Sequence, residues 1–168
     1  MSINKRSTRE CEVRQVKPAI RRALQAYFQK HNLGELETEC LLCCETTSEG
    51  LPNGLDFLFK VQPEPPSTTV VVLTASALVW ARASEQKDPN VAGADLMNIQ
   101  ARGKLSFFTG EVGLEVMGWL DGAKGNIRGT IGLGPEEASQ KLCDEVSKAI
   151  ERVNPKPVQK YPKWMGGR

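Results

Sequence analysis

The sequence predicts an α+β protein: a seven-stranded, strongly bent antiparallel sheet or barrel with a C-terminal amphipathic helix and an extra N-terminal helix. Three observations predict this class. An apolar stripe with helical spacing comes first, a series of short extended segments separated by Gly, Pro and Asn follows, and a second helical stripe comes after them. The composition, 40% hydrophobic and 25% charged over 168 residues, is typical of one globular domain.

The first helix is predicted from Lys17 to His31. Pro18 falls in its first turn, where a missing N–H costs least, and Gly34 follows as a stop. The only histidine, His31, lies at the basic end of this helix with no partner nearby in the sequence, so we expect a helix-end role rather than catalysis. The apolar stripe consists of Val16, Ile20, Ala23, Leu24, Tyr27 and Phe28.

Seven strands are predicted after this helix. The run 68-TTVVVLTASALVWARAS-84 is too long for one ordinary strand, and its small polar centre, Thr74–Ser76, has the composition of a tight turn. We therefore predict a hairpin there. The seven strands lie near Thr38–Thr46, Leu55–Gln62, Thr68–Leu73, Ala77–Ala83, Ala94–Ala101, Leu105–Met117 and Asn126–Leu133.

A final amphipathic helix is predicted over residues 134–153. Pro135 suits its first position, and Glu136 and Glu137 suit the positive end of the helix dipole. We expect this helix to pack over one end of the bent sheet, because it carries a continuous apolar stripe: Ala138, Leu142, Val146, Ala149, Ile150 and Val153.

The hairpin LTASALVWA, the glycine-punctuated strands after it and a last helix that opens with GPEEA resemble bacterial pleckstrin-homology-like (PH-like) domains over residues 38–153. The resemblance implies a small barrel with a C-terminal helix, used as a binding or scaffolding module for lipid head groups, peptides or proteins. The predicted organisation is a basic N-terminal segment, 1–16, a single PH-like domain with an added N-terminal helix, 17–153, and a Pro-rich basic tail, 154–168.

Charge is distributed unevenly along the chain. Residues 1–22 and 152–168 each carry a net charge of +5, which leaves −8 for residues 23–151 because the whole chain carries +2. An acidic body argues against a nucleic-acid partner. No apolar run is long enough to cross a bilayer, so we expect a cytoplasmic protein.

The basic tail is the predicted partner-binding segment. Its three prolines prevent a continuing helix, and its basic residues alternate with apolar and aromatic ones. The hypothesis is an anchor on an acidic protein surface, for example the acidic body of another subunit; a solvated tail and weak, salt-sensitive contact with an anionic membrane are the alternatives. The candidate binding residues are Lys156, Lys160, Tyr161, Lys163 and Trp164.

Five cysteines leave a second reading open, in which Cys40, Cys43 and Cys44 serve a thiol- or metal-dependent function. Zinc requires about four ligands, and no second C-x-x-C pair accompanies this one. A strand would place Cys43 on the face opposite Cys40 and Cys44, so we favour buried, reduced cysteines. With no catalytic residue, metal ligand or cofactor motif indicated, the sequence predicts a non-enzymatic interaction module for a protein or peptide partner.

Overall fold

The computed structural model describes residues 3–51, 65–105, 111–121 and 125–155, and the account below concerns these residues. In chain order the elements are β1 (Ile3–Glu10), α1 (Pro18–Lys30), α2 (Leu36–Glu39), β2 (Leu42–Leu51), β3 (Ser67–Leu73), β4 (Ala77–Ser84), β5 (Lys87–Asp95), β6 (Ile99–Leu105), β7 (Val112–Trp119), β8 (Asn126–Leu133) and α3 (Glu137–Val153).

The strands form two antiparallel sheets, one of five strands in the order β1-β2-β3-β4-β5 and one of three strands in the order β6-β7-β8. The α+β class and the C-terminal helix are therefore confirmed. The prediction of one seven-stranded sheet or closed barrel is wrong for the described residues. The chain passes between the sheets at a 3-10 turn, Leu96–Asn98, where the Asp95 carboxylate accepts a 2.9 Å hydrogen bond from the Met97 N–H.

The five-stranded sheet is covered on both faces, which explains why its central strands are apolar throughout. Val70 and Val72 belong to the hydrophobic core beneath α1, whereas Val71 and Leu73 belong to the core beneath α3 and the three-stranded sheet. A strand buried on both faces has no polar side to alternate with its apolar one. The run at residues 68–83 is therefore apolar because the hairpin lies at the centre of the protein, between two hydrophobic cores.

The predicted turn at Thr74–Ser76 is confirmed. The Thr74 Oγ1 accepts a 2.9 Å hydrogen bond from the Ala77 N–H, and the Thr74 N–H donates to the Ala77 carbonyl at 2.9 Å. These bonds satisfy the backbone at the point where the chain reverses, and they set the register that pairs Leu73 with Leu78.

The two long helices follow the predicted spans closely. On one side of the five-stranded sheet, α1 buries Ile20, Leu24 and Phe28, and on the other α3 buries Leu142 and Val146 against both sheets. No helix in the described ranges has the length and apolar character needed to cross a membrane.

The hydrophobic pattern of the sequence does not predict the polar strand β1, although this strand pairs with β2 along its whole length. Its residues, INKRSTRE, were recognised only as part of a basic segment. Thr8 fixes the strand to the rest of the fold: its hydroxyl bonds Thr46 at 2.8 Å and accepts from the Gly134 N–H at 2.7 Å, and its own N–H donates to the Glu136 carboxylate at 2.8 Å. Tertiary hydrogen bonds stabilise a strand that hydrophobicity does not predict.

Two strand boundaries correct the sequence interpretation. Residues 38–41 do not begin a strand, because the Glu35 carbonyl accepts from the Thr38 and Glu39 N–H groups and starts the short helix α2. Residues 87–90, which fall in a predicted break at residues 85–90, belong to β5, which tolerates Pro89 because an edge strand has N–H groups that need no partner.

The remaining strand predictions divide into three cases. The spans predicted for β3, β4 and β8 are confirmed. The predicted strand Ala94–Ala101 contains the corner between the sheets. The predicted strand Leu105–Met117 starts at the last residue of β6 and ends within β7, and residues 106–110 between them lie outside the described residues. The predicted strand Leu55–Gln62 lies outside the described residues.

Val72→Asp tests the burial of the central hairpin. Val72 has no exposed surface, so an aspartate there would carry an unpaired carboxylate into the core and lower the free energy of unfolding by about 3 to 5 kcal/mol. Urea unfolding of the variant gives this value. Ala75→Asp, at the exposed turn of the same hairpin, is the matched control, and equal stability of both variants would contradict the two-sided burial.

Candidate functional site

The three-stranded sheet presents one face to the core and the other to solvent. Leu114 and Val116 on β7 point into the core. Because side chains alternate along a strand, their neighbour Glu115 points outward, together with its directly paired residue Arg102 on β6. We call the outward cluster of Arg102, Lys104, Glu115 and Arg128 the basic sheet face.

Glu115 is the centre of this face. Its carboxylate accepts hydrogen bonds from Arg102 Nε at 2.6 Å and from Arg128 Nε at 2.8 Å, and Lys104 Nζ lies 3.7 Å away. The side chain of Glu115 is only 1% exposed, whereas all three cations are more than half exposed. One carboxylate thus holds three cations whose outer surfaces face solvent, which leaves an excess of two positive charges.

The ion cluster also fixes the protonation of its carboxylate. The hydrogen bond from Arg128, followed by that from Arg102, lowers the pKa of Glu115 to about 2, although desolvation acts in the opposite direction. Glu115 is therefore ionised at neutral pH. A fixed negative charge at the centre of β7 restricts the two guanidinium groups to one arrangement.

Apolar side chains adjoin the basic sheet face. A depression of about 440 Å³ is lined by Met97, Met117, Arg128 and Asn154, among others. Met97 is 62% exposed, and Trp119 at the end of β7 is 53% exposed. Methionine, tryptophan and arginine are enriched in protein interfaces. The surface therefore combines positive charge with the apolar anchors that a protein partner needs.

Sequence reasoning did not find this site. The spacing of Arg102 and Lys104 predicts that both lie on one face of their strand. The position of Glu115 between two apolar residues predicts that it lies on the polar face of its own strand. The missing information was strand register, which places Arg102 directly opposite Glu115 and Arg128 opposite Met117.

The predicted tail residues Lys156, Lys160, Tyr161, Lys163 and Trp164 lie outside the described residues, so their role stays a prediction. The described chain ends at Pro155, directly after Asn154, which lines the depression beside Arg128. The tail therefore leaves the described part of the protein next to the basic sheet face.

The cysteines are grouped differently from the sequence interpretation. Cys43 contacts Cys11, with their sulfurs 3.5 Å apart, and Cys40 lines the same cleft as these two residues. The predicted placement of Cys40 in a strand is wrong, because Cys40 precedes β2 and caps α2. Cys44 points to the opposite core and has no place in this cluster.

Cys11 is the member that the sequence did not suggest. It lies 32 positions from Cys43 and joins it only because β1 pairs with β2; the Cys11 N–H donates to the Cys43 carbonyl at 3.0 Å. Among the described residues, no group of three or more His, Cys, Asp or Glu side chains is arranged to hold a metal ion.

His31 has partners that the sequence did not predict. Its ring stacks on Tyr27 with centroids 4.1 Å apart, and its Nδ1 lies 3.7 Å from the Asp121 carboxylate. Tyr27 also donates a hydrogen bond to Asp121, and burial followed by this bond raises the pKa of Tyr27. These contacts join the end of α1 to Asp121, which follows Leu120 after the end of β7. This position of His31 agrees with the predicted helix-end role.

Comparison with known proteins finds no match for this chain. No protein-family model matches it, and no curated protein or solved structure does so either. Its function is therefore inferred from the basic sheet face, the adjoining apolar surface and the thiol cluster.

Glu115→Gln tests the ion cluster through pH. Because the pKa of Glu115 falls from 4.5 to about 2 on folding, the ionised carboxylate contributes stability that is fully present above pH 4.5 and is lost as the pH falls towards 2. We expect the variant to melt at a lower temperature than the wild type at neutral pH, and the difference to shrink over this acid range.

The measurement is the thermal midpoint of both proteins across the pH series. Glu151→Gln, the same chemical change at an exposed position on α3, is the control and should follow the wild-type profile. A constant difference between Glu115→Gln and wild type at every pH would contradict the assignment.

Proposed function

We propose that this chain is a non-enzymatic interaction module that binds an acidic segment of a protein partner through the basic sheet face. The observation that carries the proposal is the arrangement around Glu115, where one buried carboxylate holds three largely exposed cations. One negative charge neutralises only one of them, so carboxylates of a partner would meet a local positive surface.

Pre-organisation supports this proposal. Arg102 is hydrogen-bonded to Glu115 through Nε, and Arg128 contacts Glu115 through Nε and Nη2. Both side chains are therefore held in place, and their remaining guanidinium N–H groups are left for a partner. Guanidinium groups bind carboxylates through paired hydrogen bonds, and side chains that are already ordered lose less entropy on binding.

The neighbouring apolar surface favours a protein partner over other anions. Met97, Met117 and Trp119 offer contacts that an apolar residue within an acidic segment can cover, and such contacts supply much of the affinity at protein interfaces. An anionic membrane is the competing partner, and the same charges would attract it.

The tail extends this proposal. It would add Lys156, Lys160 and Lys163 to the positive surface and Tyr161 and Trp164 to the apolar one, because the chain continues into the tail beside Asn154. In this proposal the basic sheet face and the tail bind one acidic partner together.

We further propose that the chain is a PH-like domain in which two antiparallel sheets and a C-terminal helix take the place of a closed barrel. The support is the LTASALVWA hairpin and a C-terminal helix that packs on both antiparallel sheets. In this proposal the fold serves as a scaffold, and the binding chemistry lies on the outer surface of β6, β7 and β8.

Arg128→Ala tests the basic sheet face. With a fluorescently labelled peptide rich in glutamate and leucine as the probe, we expect the dissociation constant to rise by about tenfold, equivalent to about 1.4 kcal/mol. Arg22→Ala is the matched control, because Arg22 is exposed on α1, on the far side of the five-stranded sheet. Fluorescence anisotropy measures both, and thermal melting verifies that each variant is folded.

Anionic vesicles distinguish the two partner classes. The proposal expects Arg128→Ala to weaken peptide binding while vesicles of phosphatidylserine bind less tightly than the peptide at the same salt concentration. Equal peptide binding by wild type and Arg128→Ala, or tighter binding to vesicles than to the peptide, would overturn the acidic-protein assignment.

A chain ending at residue 155 tests the tail. We expect weaker peptide binding at low salt and a smaller difference from the full chain at high salt, because ionic strength screens exposed charges. A full-length Tyr161→Ala, Trp164→Ala variant keeps the tail charges and isolates the aromatic contribution. Identical titrations for all three proteins would leave the tail without a binding role.

A further inference from the structure

We propose that Cys11, Cys40 and Cys43 form a reversible thiol–disulfide exchange site, which is independent of the proposed binding function. These three cysteines, which are distant in sequence or separated by element boundaries, line one cleft at the end of β1, and the sulfurs of Cys11 and Cys43 are in contact. The site would react with low-molecular-weight disulfides.

The geometry allows a Cys11–Cys43 disulfide without movement of the backbone. The two residues continue the β1–β2 pairing, and the Cys11 N–H is bonded to the Cys43 carbonyl at 3.0 Å. Directly opposed residues of antiparallel strands have Cα atoms about 4.5 to 5.5 Å apart, within the range of about 4.4 to 6.8 Å that disulfides span. The sulfurs are already 3.5 Å apart.

Access differs among the three thiols in the way that exchange requires. Cys11 and Cys40 are partly exposed and line a cleft of about 360 Å³ together with Arg14, Glu37 and other residues. Cys43 lines the same cleft but is only 3% exposed. A small disulfide would therefore reach Cys11 or Cys40 first, and Cys43 would act as the buried resolving thiol.

The pKa values support this division of roles. Interaction with Cys43 lowers the pKa of Cys11 and the pKa of Cys40, and the same interactions raise the pKa of Cys43 itself. The partly exposed sulfurs are thus the ones that reach the thiolate form more readily, and the thiolate is the attacking species in exchange.

The exchange proceeds in two balanced steps. The Cys11 thiolate attacks one sulfur of the small disulfide, forming a mixed disulfide, and the other half leaves as a thiolate that takes a proton from solvent. Cys43 then attacks the Cys11 sulfur, and its proton passes to the second half of the small disulfide, which leaves as a thiol. Overall, two protein thiols are oxidised to one disulfide and the small disulfide is reduced to two thiols.

Only one disulfide can form in the cluster at a time, because both pairs share Cys43. A Cys40–Cys43 bond would be the alternative product, and attack by the remaining thiol would convert one product into the other. The oxidised protein therefore keeps one free thiol in the cluster besides Cys44 and Cys143.

Equilibration with glutathione tests the inference. Full-length reduced protein, held in anaerobic mixtures of reduced and oxidised glutathione, should fall from five titratable thiols to three as the mixture becomes more oxidising, and a reductant should restore all five. Peptide mapping by mass spectrometry should locate the bond at Cys11–Cys43 or Cys40–Cys43.

Two variants and a control complete the experiment. Cys43→Ala should accumulate glutathione on Cys11 or Cys40, since no resolving thiol remains. The Cys11→Ser, Cys40→Ser double variant changes only the partly exposed positions and should keep all its thiols free, whereas Cys143→Ala should still lose two. Retention of five thiols by the wild type in fully oxidised glutathione, or a bond that involves Cys44 or Cys143, would overturn the proposal.

Discussion

Two-sided burial of the β3–β4 hairpin is the constraint on which the rest of the structure depends. The hairpin presents apolar side chains to both faces, so each face must be covered: α1 covers Val70 and Val72, while α3 and the three-stranded sheet cover Val71 and Leu73. Each fully buried side chain of this size is worth roughly 1.5 to 3 kcal/mol. The positions of both long helices and of the second sheet follow from this requirement.

The connection between β1 and the start of α3 holds the layer of α3 and the three-stranded sheet to one edge of the five-stranded sheet. Thr8 bonds to Gly134 and Glu136, which lie where β8 ends and α3 begins. Gly134 suits this position because a Cβ there would meet the backbone of β1. The same strand carries the chain to Cys11, so the connection that secures β1 also brings Cys11 to Cys43.

Glu115 gives the basic sheet face a structural role in addition to the binding role that we propose for it. A nearly buried carboxylate requires a cation to balance its charge. The fold alone would explain Arg102 and Arg128 if the positive charge around Glu115 equalled the negative charge of its carboxylate. Three cations for one carboxylate exceed that requirement, and their outer surfaces remain exposed beside methionine and tryptophan side chains. The excess of charge supports a partner surface in addition to a structural ion cluster.

The sequence by itself determined the elements whose signals are local. Residue spacing predicts the apolar stripes of α1 and α3, and the small polar residues predict the turn at Thr74–Ser76. The structure confirms all three elements. The tertiary structure alone decided which distant strands pair. It adds the polar strand β1 to the larger sheet and divides the strands between two sheets. Strand pairing also places Arg102 opposite Glu115 and Cys11 beside Cys43. The physical reason is that strand pairing joins residues that are distant in sequence and depends on packing against neighbours on other strands, whereas helical stripes and turns depend on residues only a few positions apart.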